Sequence, residues 1–369
     1  MIAAIAAIAA AAIAYQVASL LAAWRHLRAP ASAGDYTPAI SVLKPVRGLD
    51  PDFYEAIRSH AAQDYPAFEI LFGTADESDP ALSSIRRLAA DHLGVPMRVI
   101  VSSTSAPNQK AGILCDLAAA ARHSVYVVSD SDVKVPQDWL RGIVAPLADS
   151  RTGVVTCLYR PVARTAAGVW EALGVATDFA PSILVARWIG VREFGLGSTL
   201  VFRAADLERA GGFPAIAGYL ADDYQLSKRI SGLGLETVLS RTVVETSLGE
   251  DGWTGVWKHQ VRWARTIRVS RGGGYAGLPV THAGVWVLAS AIAGLWPLAF
   301  VLLLLRIASG ALTGIGVLGS GIVKRWFLAA PLWDLWAFAI WIAGLLGTTV
   351  EWRGRKLELS REGRIKNVD

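Results

Sequence analysis

Asp130-Ser131-Asp132 sets two carboxylates two residues apart at the end of the apolar run SVYVV. Acids leaving a buried strand at that spacing can converge on one hard divalent cation, Mg2+ or Mn2+, which takes oxygen ligands and bridges diphosphate oxygens. Such a cation stabilises charge on a nucleoside diphosphate as it departs. The bare Asp-x-Asp pattern is common in loops, and its position at a strand end is what gives it weight. A second pair of acids, Asp222 and Asp223, lies in GYLADDYQLSKRI. It reads either as helix capping and dipole compensation or as a general base for an acceptor hydroxyl. The third group is His259, Arg262 and Trp263 in WKHQVRWARTIRVS. Spacing of three and four puts them on neighbouring parts of one helix face. Arg262 can grip diphosphate oxygens and Trp263 can wall an acceptor pocket. Arg262, Arg265 and Arg268 also recur every third residue, which equally describes an amphipathic helix facing lipid headgroups. Gly195 and Gly197 in GLGSTLVF allow close backbone approach, or simply make a turn.

These residues need a frame, and residues 38–270 read as a soluble α/β domain. PAISVLKPV, FEILFGTA, MRVIVSS and SVYVVSD are strand runs, apolar throughout instead of alternating. Between them lie the helical stretches DPDFYEAIRSHAAQ, DPALSSIRRLAADHLG and AGILCDLAAAARH. Asp50 is the expected cap of the first, with Pro51 in its first turn. Continuous apolar strands alternating with helices predict a mostly parallel sheet covered on both faces, with a nucleotide at the carboxyl ends of its strands. No GxGxxG follows the first strand, so a dinucleotide fingerprint is absent.

Composition adds a membrane. The 369 residues are 53% apolar with 14 tryptophans, and mean hydropathy is +0.38. Residues 1–24 are apolar and Ala-rich, with Arg25, His26 and Arg28 directly after them. At about 1.5 Å per residue this stretch can cross a bilayer core. The trailing charges place the N-terminus outside and the following domain in the cytoplasm. Residues 284–350 carry two further expected spans, one over Gly284–Leu305 closed by Arg306 and one over about Trp326–Val350. Asp334 within the second is costly in lipid, so it is expected to face protein, water or headgroups. Residues 351–369, with Arg353, Arg355, Lys356, Arg361, Arg364 and Lys366, read as a basic cytoplasmic tail. The net charge of +5 gathers beside these segments, which points to anionic lipid and not to nucleic acid. Cys115 and Cys157 form no CxxC or Cys/His spacing, which fits a reducing compartment and a metal site without sulfur.

The ordered motifs SVLKPVRGLDP, DPA, NQKAG, DSD, ADDY and HQVRW resemble glycosyltransferase family 21 within the larger family 2 class, from about Ser41 to Arg268. That family includes ceramide glucosyltransferases and bacterial hopanoid-biosynthesis glycosyltransferases. The resemblance implies a GT-A fold, a nucleotide-sugar-binding α/β domain with transmembrane helices at both ends, in a bacterial inner membrane. It implies that Lys44 and Pro45 border the nucleotide pocket, that Asp79 lies near the uridine, and that Lys110 serves the donor side. Asp130 and Asp132 match the metal-binding acids, and Asp223 the catalytic base. Arg262 and Trp263 match the final motif, usually (Gln/Arg)xxRW, while His259 departs from it at the first position. The implied reaction is an inverting transfer from a UDP-sugar to a lipid hydroxyl. UDP-N-acetylglucosamine and a hopanoid polyol such as bacteriohopanetetrol are expected, with ceramide and UDP-glucose as the close alternative. A polyprenyl-phosphate sugar transferase, a polysaccharide synthase and a non-catalytic lipid-binding protein are the more distant ones.

Overall fold

The computed structural model describes residues 1–30, 36–50, 52–352 and 354–366; Pro51 and Arg353 lie outside the described residues. The chain divides into two compact units, one of Pro30–Tyr159 and Arg192–Ser247, the other of Met1–Ala29, Arg160–Val191 and Leu248–Asp369. Residues 160–191 and 248–270 therefore group with the terminal segments, and not with the rest of the stretch 38–270.

The first unit is built on strands β1 (Ile40–Pro45), β2 (Phe68–Thr74), β3 (Met97–Val101), β4 (Val125–Val128), β5 (Val133–Lys134), β6 (Thr152–Val162), β7 (Leu200–Arg203) and β8 (Glu236–Ser247). They form one sheet in the order β3-β2-β1-β4-β7-β6-β8-β5. All six residues of β1 and all four of β4 are buried. Side chains alternate across the sheet, so each strand serves two cores. Val42, Phe72 and Val127 pack with Ile57, Leu88 and Trp139 on one face. Leu43, Leu71 and Val128 pack with Leu114, Leu117 and Phe213 on the other. Pairings among β1, β2, β3 and β4 are parallel, as expected. Beyond β4 the expectation fails, because β4–β7, β6–β7 and β5–β8 are antiparallel and the sheet is mixed. An apolar run such as LVF reports burial on both faces and carries no information about direction.

The second unit is helical. Among the described residues, four helices are long and apolar enough to cross a membrane: Ile2–Arg28, Ala166–Trp188, Trp296–Val317 and Gly321–Leu345. The pair Gly272–Thr281 and Ala283–Ile292, bent by 50°, makes a fifth if it is one span. Several long apolar helices of this kind are those of a multi-pass membrane protein. The expected span Gly284–Leu305 is not one helix: it breaks after Ile292, passes Gly294 at φ 77°, and resumes at Trp296. Arg306 does not close it. Its guanidinium is buried inside the helix, bonded to both oxygens of Asp334 (Nε–Oδ2 2.8 Å, Nη2–Oδ1 2.7 Å) and to the Thr177 carbonyl (2.9 Å). Asp334 also accepts the Gly284 N–H at 2.8 Å, so of the three settings open to it the carboxylate takes protein. The terminal stretch forms a three-stranded sheet, β9 (Thr349–Trp352), β10 (Arg355–Leu359) and β11 (Ile365–Lys366).

Candidate functional site

The loop between β4 and β5 carries Asp130, Ser131 and Asp132. The helix Gln109–Ala120 is capped by Asn108, whose side chain accepts the Ala111 N–H, and this places Lys110 in the first turn. Lys110 Nζ lies 2.6 Å from Asp130 Oδ1 and 3.3 Å from Asp222 Oδ2. Asp222 and Asp223 open the helix Asp222–Ser231. Asp223 Oδ2 accepts the Gly197 N–H at 3.0 Å and Oδ1 accepts the Tyr224 N–H at 2.7 Å. Gly197 sits among these groups: a Cβ there would be tight against Asp130 Oδ2 at 3.1 Å and in ordinary contact with Asp223 Oδ2 at 3.4 Å and Lys110 Nζ at 3.6 Å. Three acids thus surround one ammonium. Burial works against the charge on Lys110, but Asp130, Asp222 and Asp223 outweigh it and hold its pKa above the usual lysine value. Asp223 is pushed up to about 7, by burial and then by the Asp222 charge, with Lys110 opposing.

Asp132 makes a different set of contacts. Its Oδ2 accepts the Thr246 hydroxyl at 2.6 Å, across the β5–β8 pairing. Burial first, and the neighbouring Asp130 charge second, raise its pKa to about 6. Asp130 and Asp132 form an oxygen-only pair under mutual repulsion, a donor set that suits Mg2+ or Mn2+. Among the described residues no group of three or more His, Cys, Asp or Glu side chains is arranged to enclose a metal. A cation held by these two acids would need its remaining ligands from diphosphate and water, as Mg2+ commonly takes them.

Of Lys44, Pro45 and Asp79, Lys44 bonds to this site directly. Lys44 is fully buried, and its ammonium donates to the Asp130 carbonyl at 2.6 Å and lies 3.3 Å from His60 Nε2. Burial lowers its pKa to about 7 against the pull of Asp132, Asp130 and Asp50. Pro45 ends β1 opposite Gly73. Asp79 is buried and spends its carboxylate on backbone, accepting the Ala81 N–H at 2.9 Å and the Gly48 N–H at 3.0 and 3.1 Å. It thereby ties the loop after β1 to the start of the helix Ala81–Asp91.

Sequence reasoning missed Asp50. It is no side-chain cap: its carboxylate takes the Ser131 hydroxyl at 2.6 Å, and the helix starts at Phe53 with Asp52 at its N-cap. Asp50 stands between Leu49 and Pro51 in RGLDP, where a turn acid and a site acid look alike. Thr246 was equally illegible, since only strand pairing brings it to Asp132.

His259, Arg262 and Trp263 belong to the helical unit, on the helix Trp253–Ser270. His259 Nδ1 lies 2.5 Å from Glu171 Oε1, and the Trp263 ring packs 5.1 Å from the His259 ring and 5.4 Å from Phe179. The arginine stripe read as a headgroup face has a nearer task at two positions. Arg265 donates to the carbonyls of Leu346 (2.6 Å) and Thr349, and Arg268 to those of Leu345 (2.5 Å) and Gly347 (2.6 Å). Arg268 takes the last carbonyl of the helix Ala330–Leu345, and both arginines hold carbonyls of the turn that follows it.

Comparison with known proteins agrees with this architecture. Ceramide glucosyltransferase 1 of Caenorhabditis elegans is 25% identical over 207 residues, 55% of this chain and 44% of the relative. The ceramide glucosyltransferase of Komagataella phaffii is 28% identical over 101 residues, 26% of this chain and 20% of the relative. The chain thus spans less than half the length of the curated relatives it matches. A mannosyltransferase of Pyrobaculum calidifontis, solved in complex with GDP-Man and Mn2+, superposes with a TM-score of 0.56 at 24% identity, covering 93% of this chain and 98% of that one. That likeness establishes a GT-A-like fold. The model described as glycosyl transferase family 21 matches residues 4–365. With nearly its whole length inside that match, the chain belongs to glycosyl transferase family 21.

Proposed function

We propose that this protein transfers a sugar from a nucleoside diphosphate sugar to a hydroxyl of a membrane lipid, with inversion at the anomeric carbon. The observation that carries the reading is the acid–lysine cluster, in which Asp223 is anchored by the Gly197 N–H beside Lys110 and Asp130. A carboxylate with a pKa near 7 is matched to taking a proton from an alcohol at neutral pH. Asp223 is the base: it removes the hydroxyl proton as that oxygen bonds to the sugar carbon and the bond to the diphosphate breaks. Lys110 orients Asp130 and Asp222 and offsets their charge. Asp130 and Asp132 would hold Mg2+ or Mn2+, which supplies neutralisation of the diphosphate charge when bound. Lys44 holds the Asp130 backbone, and Asp79 keeps the loop after β1 in place on the donor side. The roles of Arg262, gripping diphosphate, and Trp263, walling the acceptor, rest on the HQVRW motif.

The ceramide glucosyltransferases among the relatives favour ceramide and UDP-glucose over a hopanoid polyol and UDP-N-acetylglucosamine. The test offers purified protein both lipids and both donors, with and without a chelator, and identifies products by mass spectrometry. Glucosylceramide is the expected product, lost in chelator. Exclusive glycosylation of bacteriohopanetetrol would reassign the acceptor. Polymer formation, or product on a polyprenyl phosphate alone, would overturn the lipid-hydroxyl reading, and binding of lipid without turnover would make the protein non-catalytic.

A further inference from the structure

Glu171 lies on the helix Ala166–Gly174, within an apolar stretch long enough to span a membrane, and only 4% of it is exposed. A carboxylate in such a place must be hydrogen-bonded. Its Oε1 receives two donors from successive residues of the helix Trp253–Ser270: His259 Nδ1 at 2.5 Å and Gln260 Nε2 at 2.6 Å. A carboxylate accepts, so Nδ1 carries the proton, and Nε2 is the ring nitrogen left to meet a ligand. Fixing one ring nitrogen by a carboxylate is the usual way a protein sets the tautomer and aim of the other. The His259 side chain is 28% exposed.

The surroundings specify a class of ligand. Trp263 packs edge-on to the imidazole, and Phe179 packs against Trp263, so an aromatic wall adjoins one hydrogen-bonding nitrogen. Phe179 ends a π-helical turn, Val175–Phe179, that interrupts the segment carrying Glu171. Such turns are rare and concentrate at functional sites. A single hydrogen-bonding nitrogen beside an aromatic surface, in an apolar helical unit, suits the hydroxyl of an amphiphile, which can donate or accept.

The geometry points to Glu171 as a positioning residue that aims His259 Nε2 at a hydroxyl of the lipid acceptor, a role that rests on the lipid-hydroxyl reading above. In this chain the histidine replaces the usual first residue of the (Gln/Arg)xxRW motif, and Glu171 is the partner that fixes the orientation of the imidazole.

The test measures KM for C6-ceramide and for UDP-glucose separately, in the full-length protein in detergent. Glu171→Ala and His259→Ala are each expected to raise acceptor KM about fivefold to tenfold, the worth of one hydrogen bond, with donor KM within twofold of wild type. The double variant is expected to match His259→Ala alone, because Glu171 acts through His259. Glu171→Gln, which keeps the shape and one accepting oxygen, is expected to fall between, and decides by the same KM ratio if Glu171→Ala does not fold. Acceptor KM within twofold of wild type, or donor KM rising equally, would overturn the assignment. Failure of the lipid-hydroxyl reading shows separately, as a wild-type protein that glycosylates no lipid.

Discussion

Asp223 and Asp132 are both raised carboxyls, yet they are held in different ways. Asp223 faces two like charges moderated by one lysine, and its oxygens take two backbone N–H groups. Asp132 accepts a threonine hydroxyl, with burial and the Asp130 charge raising it. On the proposed reading, this difference fits proton transfer at the first and charge binding at the second. Asp223→Asn is expected to lower kcat by about 10²- to 10⁴-fold while leaving UDP binding intact, as read by calorimetry. The pH profile follows from the same shift. The base works deprotonated, so kcat should fall as pH drops through about 7, with protonation of Asp223 emptying the active form. A rate that stays flat from pH 8 to 5.5 would remove Asp223 from the proton-transfer step. Asp79 and Lys44 show a different pattern, since each holds backbone of a neighbouring loop, Asp79 the Gly48 and Ala81 N–H groups and Lys44 the Asp130 carbonyl. Their substitution should cost folding of the β1 loop or the β4 end before it touches chemistry.

Among the elements, the helices Trp296–Ala311 and Ala330–Leu345 are joined by the Arg306–Asp334 pair, with Thr177 and Gly284 completing the bonds. Both charges are almost wholly buried, 2% and 0% exposed. Removing one partner strands the other in an apolar bundle, and the typical cost is about 3–5 kcal/mol. Arg306→Ala and Asp334→Ala should each lower the unfolding temperature in detergent sharply. Arg306→Met with Asp334→Leu should recover much of the loss, because no uncompensated charge remains. Equal loss in single and double variants would show that helix packing, and not the unpaired charge, sets the cost. The arginines at 265 and 268 belong to this scale too. They hold the end of the helix Ala330–Leu345 and the turn that follows it, and so contribute to the bundle before any lipid is considered.

For the whole molecule, the sequence expectation is an outside N-terminus with the sheet unit and C-terminus in the cytoplasm, from three spans. Four long apolar helices are present among the described residues, or five with the bent pair, but Ala166–Trp188 joins two halves of one sheet and so makes no crossing, which leaves three, or four with the bent pair. An even number of full crossings would put the two termini on the same side. We propose that the sheet unit is cytoplasmic, where nucleotide sugars are made, because Arg25 and Arg28 follow the first span. Reporter fusions after residue 30, in the loop after Leu233 and at residue 366 test this. Cytoplasmic signal is expected at the first two, and the side of the third decides between odd and even crossings. A periplasmic signal at the first two would reverse the orientation.

Much of this was legible in the residues alone. Apolar strand runs, the Asp-Ser-Asp at the end of one of them, and the Asp222–Asp223 pair at a helix start are local patterns, and local patterns follow from short-range sterics and burial. The long apolar segments are equally local, since hydropathy over some twenty residues is a property of the segment itself. What tertiary structure decided are the relations between distant residues. Strand direction beyond β4 depends on how the chain returns, which burial does not encode. Asp50 reaching Ser131, Thr246 reaching Asp132 and Glu171 reaching His259 join positions 81, 114 and 88 residues apart. The break at Gly294 and the pairing of Arg306 with Asp334 turned one expected span into two packed helices with a charge inside. A side chain's type states what bonds it requires, and only the folded chain states which partner supplies them.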